Sequence, residues 1–597
     1  MAAFSSLSWR WLLLAALLYA GLVAWYAWPL PLAVSSAFVG EPGGDANQYL
    51  WNAWNFQRQV ALGHDPMRTP LLLYPPGSSL WLHTYTPVLG VLNLAVRQPY
   101  QAINLGLLLS FVISGVGAAW LAGRWVRQPL LCVLVGFAFA FSPYKLAHWP
   151  EHYHLLLTAA VPFFVAAYLA AWGFEAGRWP HLRNAWALAV ATGLLLLTLL
   201  SDYYTTAGLL YFAGGYAAWW RLQLGAISWR RWQPWVVLVA VLALGHFASR
   251  GLALLGADDF GGLYWGGDLG TYLVPPLHSR WLGTAASRAF WHQPRLPVQA
   301  SPENVAFLGY LVPGLVLASL VARARRPAQP GALPPLPTVL RPWPALGLLF
   351  VLLTIPELRW AGHDLLRLPT SLVHFVPFFN NIRCPTRLVM MAALLLPLLA
   401  ALGLDQWLAS RAAVWRWSVP LLLLAGVFVE YQIESYPLVR AADVPRAYRL
   451  AGQQPGAVLF ALPLGLGDGG RQVGVFSPAQ LRYQTQHGKA LRGAYLSRLS
   501  AATFATFAHE PVLRTLLLAQ RHPDSLALVP GPTPAELAAF GRRYGQPVFV
   551  VEPHYYQAPA HQLLRQWLLP RGYREQVVAD SAGCFALLLP ALGPAVQ

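Results

Sequence analysis

Residues 101–123, QAINLGLLLSFVISGVGAAWLAG, run for 23 positions without one Asp, Glu, Lys or Arg. A helix needs about 20 apolar residues to cross a hydrocarbon core of roughly 30 Å, whereas apolar runs of 10–14 are the mark of a buried core helix. This run therefore reads as a membrane span. Working outward from it, comparable stretches lie near 11–30, 129–143, 152–175, 185–200, 205–220, 233–254, 304–322, 342–357, 386–407 and 417–435. The expectation is an α-helical polytopic membrane protein of about eleven spans. Composition agrees: the 597 residues are 56% hydrophobic and only 11% charged, against roughly a quarter charged in a soluble chain. Lipid explains the missing charge, because an ionised side chain at mid-bilayer costs about 3 kcal/mol or more. The first run is too long and too aromatic for a signal-peptide core, and no small-residue cleavage site follows it, so it reads as a retained span.

The net charge of +18 would suggest a nucleic-acid partner if basic and aromatic residues clustered in a soluble domain. Instead the arginines sit in short loops: Arg10, then Arg124 with Arg127, Arg178 with Arg183, Arg221 with Arg230 and Arg231, Arg323 with Arg325 and Arg326, and Arg411 with Arg416. Alternating spans put all of these on one side, the cytoplasmic side by the positive-inside rule. The opposite side receives Glu41, Asp45, Asp65, Glu151, Asp202, Asp258, Asp259, Asp268, Glu303 and Asp364. Nucleic acid is excluded as a partner, and membrane lipids are expected ones. The expected location is the inner membrane, with the N-terminus cytoplasmic and the C-terminus outside. Three scattered cysteines, Cys132, Cys384 and Cys584, form neither a disulfide framework nor a CxxC metal site and receive no role.

Two loops on the acidic side are long, about 31–100 and 255–303, and are rich in Trp, Tyr, Asp and Pro, which marks them as ordered and functional. In the first, residues 45–62 are amphipathic, with Tyr49, Leu50, Trp54 and Val60 on the apolar side, which suits a helix lying along the membrane interface. After about residue 436 the rhythm changes to that of a soluble α/β domain. Strands are expected at 457–462 and 547–551 and amphipathic helices at 534–544 and 560–568. The domains are thus 1–435, transmembrane and catalytic, and 436–597, a small extracytoplasmic α/β domain. The run Gly465, Gly467, Gly469, Gly470 lacks the order of a dinucleotide or phosphate loop, no repeat of fixed period occurs, and 327–344 reads as a proline-rich cytoplasmic linker.

Asp45 stands where the amphipathic helix begins. Asp is among the best N-caps, so capping is its bland role. His148-Trp149-Pro150-Glu151-His152 satisfies the HxxEH pattern of inverted zinc proteases, but Pro150 resists the regular helix that pattern needs; the alternative is a polar site for sugar or phosphate, with His154 nearby. Trp51, Trp54, Tyr203, Tyr204, Tyr264 and Trp265 offer faces for sugar rings, or else form the aromatic belt of a membrane protein. The basic stretch from Gln486, His487 and Lys489 to Arg492 and Arg498 reads as a solvated face, or as a phosphate-binding one.

Gly44-Asp45 with Gln48, Trp51 and Trp54, followed by Pro66, Tyr74-Pro75-Pro76-Gly77 and Leu80, resembles the first outer loop of bacterial membrane glycosyltransferases of the GT-C type. Ser142-Pro143-Tyr144 with His148 and His152, Asp268-Leu269 before Pro275-Pro276, Glu303 with Leu308-Gly309-Tyr310, and Ile382-Arg383-Cys384-Pro385-Thr386-Arg387 fit the same relatives in order and spacing. The resemblance implies a transferase that takes a sugar from a polyprenyl-phosphate carrier and gives it to an envelope glycan, lipid or protein. Asp45 would be the general base or help to bind a divalent cation, with a second acid among Asp202, Asp268 and Glu303. Inverting glycosyl transfer needs a carboxylate about 3 Å from the acceptor proton and positive charge for the departing phosphate. Arg383 and Arg387 supply such charge, or else snorkel to lipid headgroups. Gln48, His148 and His152 complete the candidate substrate-binding set. The alternative class is a transporter or flippase of lipid-linked precursors, which the absence of repeats and the few mid-span charges disfavour.

Overall fold

The computed structural model describes residues 7–257, 259–296, 302–325, 333–377, 379–528 and 530–590. Asp258, Arg326 and the first part of the expected proline-rich linker thus lie outside the described residues. Contacts divide the chain into two units, one of residues 1–31 and 106–436, the other of residues 32–105 and 437–597.

In the first unit every expected apolar stretch carries a helix, but the helices differ in reach. Among the described residues six are long and apolar enough to cross a membrane: Trp9–Tyr26, Pro99–Ala122, Pro129–His148, Gln233–Leu254, Pro385–Leu408 and Ala413–Glu430. Others are shorter: Val161–Ala171, Ala185–Leu199 and Leu311–Ala324. At 1.5 Å per residue, the first of these covers only about half of a ~30 Å hydrocarbon core. The expected span at 152–175 is cut down because Pro150 and Pro162 break the ladder, leaving one 3₁₀ turn at Tyr153–Leu156 before the helix begins. The expected linker also ends early, since a helix starts at Trp343.

Burial sorts the long helices into centre and rim. Protein covers 94% of the Pro129–His148 window but only 11% of Gln233–Leu254, whose Val236, Val237, Leu244 and Phe247 face outward. At the centre, small residues allow close approach. A Cβ on Gly136 would fall 2.1 Å from the Tyr19 hydroxyl and 2.3 Å from the Gly115 carbonyl oxygen. The Tyr19 hydroxyl donates to the Val133 carbonyl at 2.7 Å, so glycine at 136 is a packing requirement.

The second unit is built on a five-stranded sheet in the spatial order Ala490–Leu491, Val458–Leu462, Val548–Val551, Gly583–Pro590, Tyr573–Asp580. The first three strands run parallel, and the last two form an antiparallel hairpin closing at Asp580 and Gly583. The two inner strands, VLFAL and VFVV, are buried throughout, as parallel strands covered on both faces must be. The helix Pro534–Tyr544 opens with a capping box between Thr533 and Glu536 and ends on Gly545 in the left-handed region.

Residues 32–105 belong to this unit, so the grouping departs from a division at 435/436. Strand Ala37–Val39 pairs antiparallel with Leu438–Arg440, and the backbone of Leu71 and Tyr74 bonds that of Leu491. Helix Ala46–Ala61 is enclosed by protein, with 11 of its 16 residues buried; this corrects the expectation of a helix floating at the interface. Its polar side is an internal network: Asn55 accepts from Thr69 (3.0 Å) and Gln59 (3.2 Å) and donates to Tyr85 (2.8 Å), while Asn52 donates to the Thr84 carbonyl (2.9 Å). Trp51 is fully buried, its indole N–H on Gln484 at 2.5 Å, so it is a core residue and offers no face to a sugar.

Candidate functional site

In the first unit, three breaks in regular structure bring charged residues together. Helix Pro143–His148 stops before Pro150, and the chain turns through Trp149, whose ring stacks on Phe111 at 4.6 Å. His148, His152 and His154 therefore lie around one tight bend instead of along a helix face. The second break is the single turn Pro302–Asn304, which carries Glu303. The third is Pro385–Leu388, which carries Arg387 just ahead of helix Val389–Leu408.

Glu303 and Arg387 are both buried and form a two-pronged ion pair, Arg387 Nε to Oε2 at 2.8 Å and Nη2 to Oε1. This is the fork geometry in which arginine outperforms lysine. His152 Nε2 stands 3.2 Å from Glu303 Oε1, and His148 Nε2 stands 3.6 Å from Oε2. His154 Nε2 lies 3.3 Å from Arg387 Nη1 and 3.8 Å from Asp202 Oδ1. The Tyr204 ring sits 4.6 Å beneath the guanidinium, and its hydroxyl accepts the Cys384 N–H at 3.2 Å. Burial alone would raise the Glu303 carboxyl, but Arg387, His152 and His148 hold it well below the usual carboxylate range, so it is ionised.

The cluster thus unites five expected residues, His148, His152, Asp202, Glu303 and Arg387. The glutamate beside the histidines is Glu303, so the local HxxEH run does not build the site by itself. Asp202 starts helix Tyr203–Arg221, its Oδ2 accepting from the Thr205 N–H (2.6 Å) and hydroxyl (2.7 Å). Arg383 is half-buried with its guanidinium 5.3 Å from the Trp265 ring. Asp268 braces the backbone, accepting from the N–H groups of Gly270 (2.7 Å), Ala361 (3.1 Å) and Gly362 (2.8 Å) and so fastening its loop to the Glu357–Arg367 hairpin.

His148, His152 and Glu303 are the one group of three or more potential ligands among the described residues whose donor atoms all lie within 4.8 Å of each other. Their types suit a divalent cation such as zinc. His148 Nδ1 donates to the Tyr144 carbonyl at 2.8 Å, which turns Nε2 toward Glu303; a backbone carbonyl on the other ring nitrogen is the usual support for a ligating imidazole. Arg387 opposes a cation there, since it already neutralises Glu303.

Asp45 and Gln48 belong to the second unit. Asp45 precedes helix Ala46–Ala61 with φ −64° and ψ −21°, and its side chain makes no capping bond; the bland role expected of it is not the one it plays. Gln48 is buried and accepts from the Thr84 hydroxyl at 3.0 Å. The basic stretch after Gln486 is no solvated face: His487, Lys489 and Arg492 are buried. Lys489 caps the Gln454 carbonyl at 2.6 Å, and Arg492 faces Glu510 at 3.6 Å. Tyr203 and Tyr264 remain exposed.

No family model matches the chain, and no curated protein matches it at a significant level. Among solved structures, the oligosaccharyltransferase AglB from Archaeoglobus fulgidus, in complex with an inhibitory peptide and a dolichol-phosphate, is similar over 97% of this chain and 74% of its own, at 11% identity and a TM-score of 0.43. ArnT from Cupriavidus metallidurans is similar over 98% of this chain and 99% of its own, at 13% identity and a TM-score of 0.35. At these scores the likeness carries no part of the functional reading below.

Sequence reasoning missed Lys145 and Arg482, both buried, and Asn47. Their signal was present as isolated polar residues inside otherwise apolar or amphipathic helices, where burial of charge needs a reason.

Proposed function

We propose that this is a membrane glycosyltransferase that moves a sugar from a polyprenyl-phosphate carrier to a cell-envelope acceptor at the outer face of the inner membrane, with Asp45 as general base. The ordered loop motifs support this reading. The observation that carries it is the built turn around Asp45. Asn47 holds that turn: its amide donates to the carbonyls of Glu41 (3.3 Å), Pro42 (3.1 Å) and Gly44 (2.8 Å), while Asp45 opens the helix without capping it. A carboxylate on a turn fixed by its neighbours is placed to take a proton from an acceptor hydroxyl.

The charged cluster refines the other roles. Arg387 is committed to Glu303, so Arg383 is the better source of positive charge for the departing phosphate, while Glu303, Arg387 and the three histidines form a polar, preorganised group within the first unit that suits a carrier phosphate or a sugar. Such a site acts by fixed dipoles and charges that need no rearrangement during reaction. The test is to compare the lipid-linked sugars and envelope glycans of cells with and without the protein. The reading predicts that a polyprenyl-phosphate sugar accumulates and one glycan loses a residue; unchanged profiles refute it.

A second reading, transport of a lipid-linked precursor, draws on Lys145, which is buried inside the Pro129–His148 segment with its ammonium on Thr158 Oγ1 (2.9 Å) and over the Phe111 ring (4.4 Å). Intramembrane charge marks ion or substrate pathways. Counterflow of the lipid-linked sugar in liposomes with no glycosidic product would favour it.

A further inference from the structure

The geometry points to Arg482, together with Asn47, as the positioning brace of Asp45. Arg482 is 1% exposed and Asn47 fully buried. The Arg482 Nε–H donates to Asn47 Oδ1 at 2.9 Å, and Nη1 donates to the Arg440 carbonyl at 2.9 Å. Arg440 in turn lies in the strand that pairs with Ala37–Val39, the segment leading into the Asp45 loop. The guanidinium therefore ties both ends of that loop.

Chemistry makes the tie directional. A guanidinium has only donors, so it selects the oxygen end of the Asn47 amide. The amide nitrogen must then face the opposite way, onto the carbonyls of Glu41, Pro42 and Gly44. One side chain thus holds three backbone carbonyls immediately before Asp45, and its own orientation is fixed by Arg482. Among the described residues no carboxylate lies within ion-pairing distance of Arg482, so this buried positive charge has no ion-pair duty to explain it. Burying a charge unpaired is costly, and the guanidinium is compensated by its hydrogen bonds to Asn47 and the Arg440 carbonyl and by the Tyr483 ring 5.1 Å away.

This brace rests on the reading of Asp45 as the base, and the test separates the two. Transfer from a polyprenyl-phosphate sugar is measured with full-length protein carrying Asp45→Asn, Asn47→Leu, Arg482→Gln, Arg482→Lys, and each brace change combined with Asp45→Asn; thermal unfolding confirms that each variant folds. A small displacement of a catalytic group lowers turnover by about 10–100-fold, so Asn47→Leu and Arg482→Gln should lose kcat on that scale with the donor KM held within about threefold. Arg482→Lys, which keeps the charge but replaces the planar fork by donors on a single nitrogen, should fall between. Residues that act through one group are not additive, so the combined variants should be no slower than Asp45→Asn alone. If Asp45→Asn is inactive while Arg482→Gln and Asn47→Leu keep full kcat, the brace is refuted and the base stands. Multiplied losses in the combined variants also refute the brace. If Asp45→Asn is fully active, the base is refuted and the positioning role goes with it. Should Asn47→Leu fail to fold, Arg482→Gln, whose shorter stem and single amide cannot serve Asn47 and the Arg440 carbonyl together, decides the question.

Discussion

Replacing Arg387 with Met tests the organisation of the charged cluster. Glu303 and Arg387 are both about nine-tenths buried or more, and both guanidinium prongs rest on the carboxylate. Met fills most of the arginine's volume, so the change isolates the loss of charge and hydrogen bonds. Glu303 is left with only two imidazoles at 3.2 and 3.6 Å, and breaking a buried pair by removing one partner destabilises by about 3–5 kcal/mol. The partner variant Glu303→Leu strands Arg387 and should cost about the same. The double variant strands neither charge, and replacement of a whole buried pair by apolar groups is often near neutral. The expected interaction energy across the cycle is therefore about 3 kcal/mol or more, well above the ~0.5 kcal/mol scatter of independent sites. Unfolding of the purified protein in mixed micelles measures it. Additive losses within that scatter would show that the two residues do not share a buried pair.

Glu552 gives a pH signature. Its half-buried carboxyl accepts from the Tyr448 hydroxyl at 2.7 Å, and burial raises it from 4.5 to about 7. Between those values the unfolded chain releases a proton that the folded chain keeps, so stability present below pH 4.5 is lost as pH rises to 7, by up to about 3 kcal/mol before allowance for solvent access. Thermal unfolding from pH 4.5 to 8 should show this decline, and Glu552→Gln should flatten it; an unaltered slope contradicts the assignment. Zinc affinity, measured by chelator competition, should fall about tenfold or more in His148→Ala and His152→Ala and rise in Arg387→Met, which frees Glu303; identical affinities in all four proteins would place zinc elsewhere. Cysteines introduced for Gly43 and Arg325 should label from opposite sides of the membrane, and labelling from one side overturns the proposed orientation.

Elements set by local rules were legible in the sequence. The strands Val458–Leu462 and Val548–Val551 fall within a residue of the expected runs because strands buried on both faces read as continuous apolar segments. Helices Pro534–Tyr544 and Pro559–Leu568 show their periodicity plainly, and the apolar stretches all carry helices. Helix length was not legible where Pro150 and Pro162 interrupt a stretch that hydropathy reads as continuous. Helix Ala46–Ala61 misled because an amphipathic pattern does not say whether its polar side meets headgroups or an internal network of Asn and Gln. The grouping of 32–105 with the C-terminal part depends on pairs such as Trp51 with Gln484, 433 positions apart, which no periodicity encodes. The charged cluster was legible as a set of residues, since the histidines, Glu303 and Arg387 sit beside proline-broken turns and Asp202 stands at the start of an apolar helix, but not as a geometry: the commitment of Arg387 to Glu303 and of Asp268 to backbone N–H groups appears only in three dimensions.

The proposal stands or falls on Asp45 deprotonating the acceptor during sugar transfer. Single-turnover transfer from a radiolabelled polyprenyl-phosphate sugar to envelope acceptor, with the native protein and Asp45→Asn compared at matched donor occupancy, reads that step alone. A base that acts in the transition state contributes about 10²–10⁴-fold, so the variant should bind the donor as before and transfer at least about a hundredfold more slowly. Transfer at the native rate by Asp45→Asn would show that the proton goes elsewhere.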